Sequence, residues 1–87
     1  MSTAFIPPLL RELTGGLERV EVDGTTVRSV IRELETKFPG IAERLLSGDL
    51  LKPGLAVAVN GSIASQGVLQ KVPHGSEIHF LPAIGGG

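Results

Sequence analysis

Hydrophobic residues recur along this chain with two periods, two and about 3.6, and the places where one gives way to the other divide it into elements. Thr3 to Ile6 is short and β-prone, and Pro7-Pro8 ends it by fixing φ and removing two backbone donors. Leu9, Leu10 and Leu13 suit a helical turn before Thr14-Gly15-Gly16 breaks the chain. That glycine pair reads as a turn, with a ligand loop as the alternative. Leu17, Val20 and Val22 alternate imperfectly with charged residues up to Asp23-Gly24, which predicts a second strand hairpinned with the first. The helical period then takes over, with Val27, Val30, Ile31, Leu34 and Phe38 on one face and Arg28, Arg32, Glu33, Glu35 and Lys37 on the other. Thr25-Thr26 offers this helix a hydroxyl N-cap and Pro39-Gly40 ends it. Glu33 and Glu35, two apart on a helix, cannot face each other and read as a solvated surface.

A shorter helical stretch is expected from Ile41 to Leu46, then a loop bracketed by Ser47-Gly48-Asp49 and Pro53-Gly54. Leu55, Val57 and Val59 alternate with Ala56 and Ala58, a strand with large residues on one face and small ones on the other. Asn60-Gly61 signals a two-residue hairpin. Ile63 to Leu69 reads as a weak strand or extended stretch, and Val72-Pro73-His74-Gly75 as a turn. Ser76 to Leu81 closes the series as a strand, with Ile78 and Phe80 on one face and Glu77, His79 and Leu81 on the other. The order is hairpin, helix, strand and last strand. A helix between strand pairs must return across one sheet face, and right-handed crossover then sets the first and last strands side by side and parallel. The expected fold class is α+β: one mixed sheet wrapped on one main helix, the β-grasp or ubiquitin-like architecture. It divides the chain into a domain over residues 1–82 and a flexible C-terminal tail over residues 83–87 ending in Gly-Gly.

Composition narrows the functional classes. Eighty-seven residues hold one core and no second domain. Net charge is -1 with eight basic residues spread among nine acidic ones, so no electrostatic footprint for nucleic acid is present. Three phenylalanines are the only aromatics, too few for a base-stacking platform. The absence of Cys removes disulfides, thiolate metal sites and thiol nucleophiles. The opening Met1-Ser2-Thr3-Ala4-Phe5-Ile6-Pro7 lacks a basic segment followed by an apolar one, and no run approaches 18 apolar residues, so a soluble cytoplasmic protein without a membrane partner is expected. The Asn60-Gly61-Ser62 acceptor pattern for N-glycosylation is set aside on the same ground.

Chemistry-bearing motifs are scarce. No phosphate-binding G-x-x-x-x-G-K-[ST], H-E-x-x-H, G-x-S-x-G or calcium-loop pattern occurs. His74 falls in a turn and His79 on a strand face beside Glu77, where a surface role is the default over metal binding or acid-base catalysis. What stands out is the ending, Phe80-Leu81-Pro82-Ala83-Ile84-Gly85-Gly86-Gly87. Glycine has no Cβ, so such a tail can enter a channel too narrow for other residues. Extended, residues 83–87 carry the carboxylate roughly 16 Å from the body at about 3.3 Å per residue. Once activated as an acyl-adenylate, that carboxylate can accept sulfur to give a thiocarboxylate, or an amine to give an amide. A merely frayed tail is the remaining alternative.

Leu81-Pro82-Ala83-Ile84-Gly85-Gly86-Gly87 resembles the L/F-P-x-V-A-G-G ending of the MoaD/ThiS family of sulfur-carrier proteins, with Gly86 and Gly87 at the diglycine positions and Gly85 where Ala is usual. The resemblance runs through Ile6-Pro7 to Thr14-Gly15-Gly16, Thr25-Thr26-Val27, Gly40-Ile41 with Glu43-Arg44-Leu45, Val59-Asn60-Gly61 and Gly75-Ser76-Glu77. It implies a protein co-substrate with no catalysis and no bound cofactor of its own. Gly87, preceded by Gly86, would be the site of adenylation and thiocarboxylation, with ATP used by an E1-like adenylyltransferase partner. Leu81, Pro82, Ala83, Ile84 and Gly85 would contact partners, and the sulfur would pass to a biosynthetic enzyme. Lack of Cys agrees, since the sulfur rides on the carboxyl group. Within the family the opening Ile6-Pro7-Pro8-Leu9-Leu10-Arg11 and the ending Leu81-Pro82-Ala83 are most similar to carriers that feed cysteine biosynthesis, then to molybdopterin synthase small subunits. The thiazole-forming branch is usually shorter and lacks the Ile41 to Pro53 stretch. A ubiquitin-like modifier joined to lysines through Gly87, and a plain β-grasp interaction module, are the alternatives.

Overall fold

The computed structural model describes residues 1–82. Its first strand, β1 (Ser2–Phe5), pairs antiparallel with β2 (Arg19–Val22), Ala4 opposite Val20. Between them Pro8–Leu10 forms a 3₁₀ turn that buries Leu10 and leaves Leu9 exposed. The main helix α1 (Val27–Lys37) begins at the expected cap: the Ser29 backbone N–H donates to Thr26 Oγ1 at 3.1 Å, and the Thr26 N–H donates to Ser29 Oγ at 2.9 Å. This reciprocal bonding satisfies two donors that a helix start leaves open. A short α2 (Ile41–Leu45) follows, then β3 (Leu46–Ser47), β4 (Leu50–Leu51), β5 (Leu55–Val59), β6 (Ser62–Ile63) and β7 (Glu77–Pro82).

One five-stranded sheet has the order β2-β1-β7-β5-β6. β1 and β7 run parallel with Ala4 opposite Ile78, and β5 runs antiparallel to β7 with Val57 opposite Phe80. The first and last strands are therefore central neighbours, as right-handed return across the sheet requires. Val27, Val30, Ile31 and Leu34 are all completely buried and pack with Ala4, Val22, Val57 and Ile78 in one cluster. Each such aliphatic stabilises the fold by about 1.5–3 kcal/mol relative to exposure, so packing of one helix stripe holds sheet and helix together. The Val72 N–H to Thr25 carbonyl and Val27 N–H to Gln70 carbonyl bonds tie the chain before β7 to the start of α1. Asn60 (φ 52°) and Gly61 (φ 84°) both adopt the left-handed backbone that the tight β5–β6 hairpin demands.

Three sequence expectations are revised. The stretch from Ser47 to Pro53 is not a plain loop, because β3 and β4 pair antiparallel and put the partly buried Leu46 and Leu51 against the core. Ile63 to Leu69 is not an extended strand: pairing stops at Ile63, and a 3₁₀ turn over Gly67–Leu69 swings Val68 into a buried position. Glu33 and Glu35 are not simply solvated. Glu33 Oε1 accepts the Asp23 and Gly24 N–H groups, and Glu35 accepts those of Gly40 and Ala42, so each carboxylate fastens a chain turn to α1.

The Ala42 N–H, then the Gly40 N–H, hold the Glu35 carboxyl below its usual range. A lowered folded-state pKa makes this contribution fully present above the ordinary glutamate range and removes it as pH falls through the lower folded value. Urea midpoints should therefore decline on acidification, and Glu35→Gln should flatten that decline; an unchanged acid slope in the variant would remove Glu35 from the account.

Candidate functional site

The site is built on the end of β7. Phe80 is buried on the helix side and anchors the strand, while Leu81 lies on the opposite face, opposite Ala56 on β5. Pro82 pairs with Leu55 and ends the sheet. β1 accompanies β7 only as far as His79, because Pro7-Pro8 turns the chain away. Past that point β7 keeps β5 as its one paired neighbour among the described residues.

Two depressions meet there. One, of about 250 Å³, is apolar and is lined by Leu9, Leu10, Leu45, Leu55, Leu81 and Pro82. The second, of about 300 Å³, opens on the outer sheet face and includes Phe5, Pro8, Arg11, Arg19, His79 and Leu81. Leu81 borders both and stands opposite the small Ala56. Leu9, between Pro8 and the buried Leu10, is 85% exposed.

Of the residues singled out from sequence, Leu81 and Pro82 are placed together at this root. Ala83, Ile84, Gly85, Gly86 and Gly87 lie outside the described residues. His79 does sit on the outer face, where its ring stacks on Phe5 with centroids 4.2 Å apart and planes 7° from parallel. His74 is exposed in its turn. Among the described residues no group of three His, Cys, Asp or Glu side chains is disposed to hold a metal ion, and no helix is long and apolar enough to cross a membrane. Sequence reasoning missed Phe5, Arg11, Arg19 and Leu9. For Phe5 the signal was present: once the first and last strands are parallel neighbours, an aromatic on the outer phase of β1 must meet an outer residue of β7.

A mixed sheet on one helix with β7 central and its end left open defines a ubiquitin-like β-grasp protein. The ThiS family model matches residues 6–87. The sulfur carrier protein CysO of Mycobacterium tuberculosis (strain ATCC 25618 / H37Rv) is 36% identical over 92 residues, 98% of this chain and 97% of the relative. Small archaeal modifier protein 3 of Haloferax volcanii is 31% identical over 67 residues, 75% of this chain and 73% of the relative. A chain in the crystal structure of the Amycolatopsis orientalis BexX/CysO complex superposes with a TM-score of 0.91 at 36% identity, each chain fully covered. The chain belongs to the ThiS family.

Proposed function

We propose that this protein is a sulfur carrier and a co-substrate of partner enzymes, not a catalyst. The observation that carries the reading is the match, over nearly the full length of both chains, to proteins named as sulfur carriers. In the reaction, a Gly87 carboxylate oxygen attacks the α-phosphorus of ATP on an activating enzyme, forming the acyl-adenylate and releasing pyrophosphate. Hydrosulfide delivered by the partner system then attacks the acyl carbon, displaces AMP and leaves a thiocarboxylate, which a biosynthetic enzyme consumes. Likeness to CysO supports a place in cysteine synthesis ahead of molybdopterin synthesis, and a cytoplasmic setting follows from the soluble enzymes such a carrier would serve. The described fold contributes position: β7 is the central strand of the sheet, and its register with β5 fixes Leu81 and Pro82.

The similarity to a small archaeal modifier protein favours one second reading, conjugation through an amide at Gly87. Intact-mass analysis of protein isolated from its native host separates the two. One oxygen-to-sulfur increment supports the carrier, covalent protein adducts support the modifier, and neither leaves an interaction module.

Docking at the tail root gives a further expectation. Leu81→Asp puts a charge between the two depressions while Phe80 and the helix-facing core are untouched. It should raise the KM for activation about tenfold, the effect of losing roughly 1.4 kcal/mol of binding, with an unchanged melting temperature. Unchanged activation kinetics would remove Leu81 from the docking surface.

A further inference from the structure

An asparagine followed by glycine carries a reaction of its own: the glycine nitrogen can attack the asparagine side-chain carbonyl carbon, because no Cβ on the glycine stands in the way. Asn60 is the one asparagine in the chain, and Gly61 follows it. Both are exposed at the tip of the β5–β6 hairpin, and a Cβ built on Gly61 would meet nothing within 4 Å. No hydrogen bond holds the Gly61 N–H among the described residues, so the nucleophile is open. The carboxamide is held. Asn60 Oδ1 accepts the Glu77 N–H at 2.9 Å, and Nδ2 donates to Ser76 Oγ at 3.1 Å. The Asn60 N–H adds a bond to the Glu77 carbonyl at 2.9 Å, which ties the hairpin tip to the start of β7. Ser76 is itself fixed, since it is buried, its N–H donates to Ser2 Oγ and its hydroxyl donates to the Pro73 carbonyl.

We propose that Asn60 is a deamidation site and that its latch to Ser76 and Glu77 sets the rate. The Gly61 nitrogen bonds to Asn60 Cγ and gives up its proton, and the Cγ–Nδ2 bond breaks to release ammonia and leave a cyclic imide. Water then opens the imide. Cleavage between the Gly61 nitrogen and Cγ gives aspartate at position 60, and cleavage on the other side of the nitrogen gives isoaspartate, with the main chain rerouted through Cγ. A carboxamide bonded at both ends to β7 is not free to turn towards the Gly61 nitrogen, so the reaction waits on release of those bonds. Neither product remakes the latch. Aspartate presents an acceptor where Nδ2 donated, and the Ser76 hydroxyl facing it already donates its proton to Pro73. Isoaspartate lengthens the main chain of a two-residue turn that is closed by φ values of 52° and 84°. Either product loosens the hairpin tip from Glu77, at the opposite end of β7 from Leu81 and Pro82. The proposal holds whichever reading of the tail is right.

The test is incubation of the purified protein at mildly alkaline pH, folded in buffer and unfolded in guanidinium chloride, with peptide mapping of the NH2-to-OH mass increment. Mapping separates position 60 from the slower Gln66-Gly67 pair. The folded protein should deamidate about 10- to 100-fold more slowly than the unfolded chain, the factor for two carboxamide hydrogen bonds of ordinary net strength. Ser76→Ala removes one of the two and should speed the folded-state reaction about 3- to 10-fold. Val20→Ala weakens the core on β2, at the far edge of the sheet from the hairpin, and should leave that rate unchanged. The deamidated fraction, separated by its added negative charge, should melt below the unmodified protein. Equal rates in folded and unfolded wild-type protein would overturn the latch, and this comparison decides alone if Ser76→Ala does not fold. An acceleration in Val20→Ala equal to that in Ser76→Ala would overturn it too, by assigning the effect to global unfolding. No mass increment at position 60 in the unfolded chain would overturn the site itself.

Discussion

Addition of one alanine after Gly87 is expected to reduce ATP-pyrophosphate exchange by at least about 10²-fold. On the carrier reading proposed above, the carboxylate would have to lie in line with the α-phosphorus, and a misplacement of about 1 Å from near-attack geometry already costs about that factor. One extra residue moves the carboxylate by about 3.3 Å. Leu81 and Pro82 are held by register to Ala56 and Leu55, so the body cannot slide to compensate without breaking the β5–β7 ladder. Deletion of Gly87 shifts the carboxylate by the same distance in the other direction, although Gly85-Gly86 still ends the chain in a diglycine. On the same reading Gly86→Val should fail for a different reason: a branched Cβ would block a channel that admits only glycine and would forbid any positive φ in the bound tail. All three changes lie beyond the described core, so melting temperatures should stay at the wild-type value. Undiminished exchange by the alanine-extended protein or by Gly86→Val would sink the carrier and modifier readings together.

Much of this fold is legible in the chain because its strongest signals are local and mutually consistent. The stripe Val27, Val30, Ile31 and Leu34 is long enough to specify a helix without tertiary help, and Thr26 lies where its hydroxyl can cap it. Asn60-Gly61 specifies its hairpin because few other residue pairs adopt two consecutive positive φ values. With hairpin, crossover helix and last strand in that order, handedness alone brings β1 and β7 together. What escaped sequence reading depends on contacts between distant segments. The β3–β4 pair has two residues per strand and no alternation to detect, and it forms because Leu46 and Leu51 find the core. Glu33 and Glu35 look like ordinary surface carboxylates until the turns at Asp23-Gly24 and Gly40 arrive beside them.

The candidate site divides along the same line. Leu81 and Pro82 could be singled out from the terminal motif, and their position at the open end of a central strand follows from topology. The meeting of Arg11 and Arg19 in the outer-face depression could not, since the two are separated by the Thr14-Gly15-Gly16 turn and only the return of β2 alongside β1 aligns Arg19 with Phe5. Leu9, Leu10 and Leu13 read as one helical turn, a pattern that does not say which leucine is left outside; the 3₁₀ geometry after Pro8 buries Leu10 and exposes Leu9.

Gly24→Ala is expected to destabilise the protein by about 2–3 kcal/mol, the range for forcing extra atoms into a filled space. In a domain of this size that corresponds to a fall of about 10–20 °C in melting temperature. A Cβ at Gly24 would stand 2.6 Å from Ser29 Oγ, 2.7 Å from the Val30 nitrogen and 2.9 Å from the Ser29 carbonyl carbon. The hydroxyl could rotate away only by giving up its bonds to the Thr26 N–H and carbonyl, which close the helix cap. The two backbone atoms have no such freedom, because Val27 and Val30 on either side are fully buried and fix the first turn of α1. The Asp23–Thr25 segment must then move outward, releasing the Asp23 and Gly24 N–H bonds to Glu33 and the Val72 N–H bond to Thr25. Gly15→Ala provides the comparison, since its Cβ meets nothing within 4 Å and only its positive φ of 67° resists the change. That strain is worth about 1–2 kcal/mol, so Gly15→Ala should melt above Gly24→Ala, and the reverse order would show that close approach to α1 is not what requires glycine at position 24.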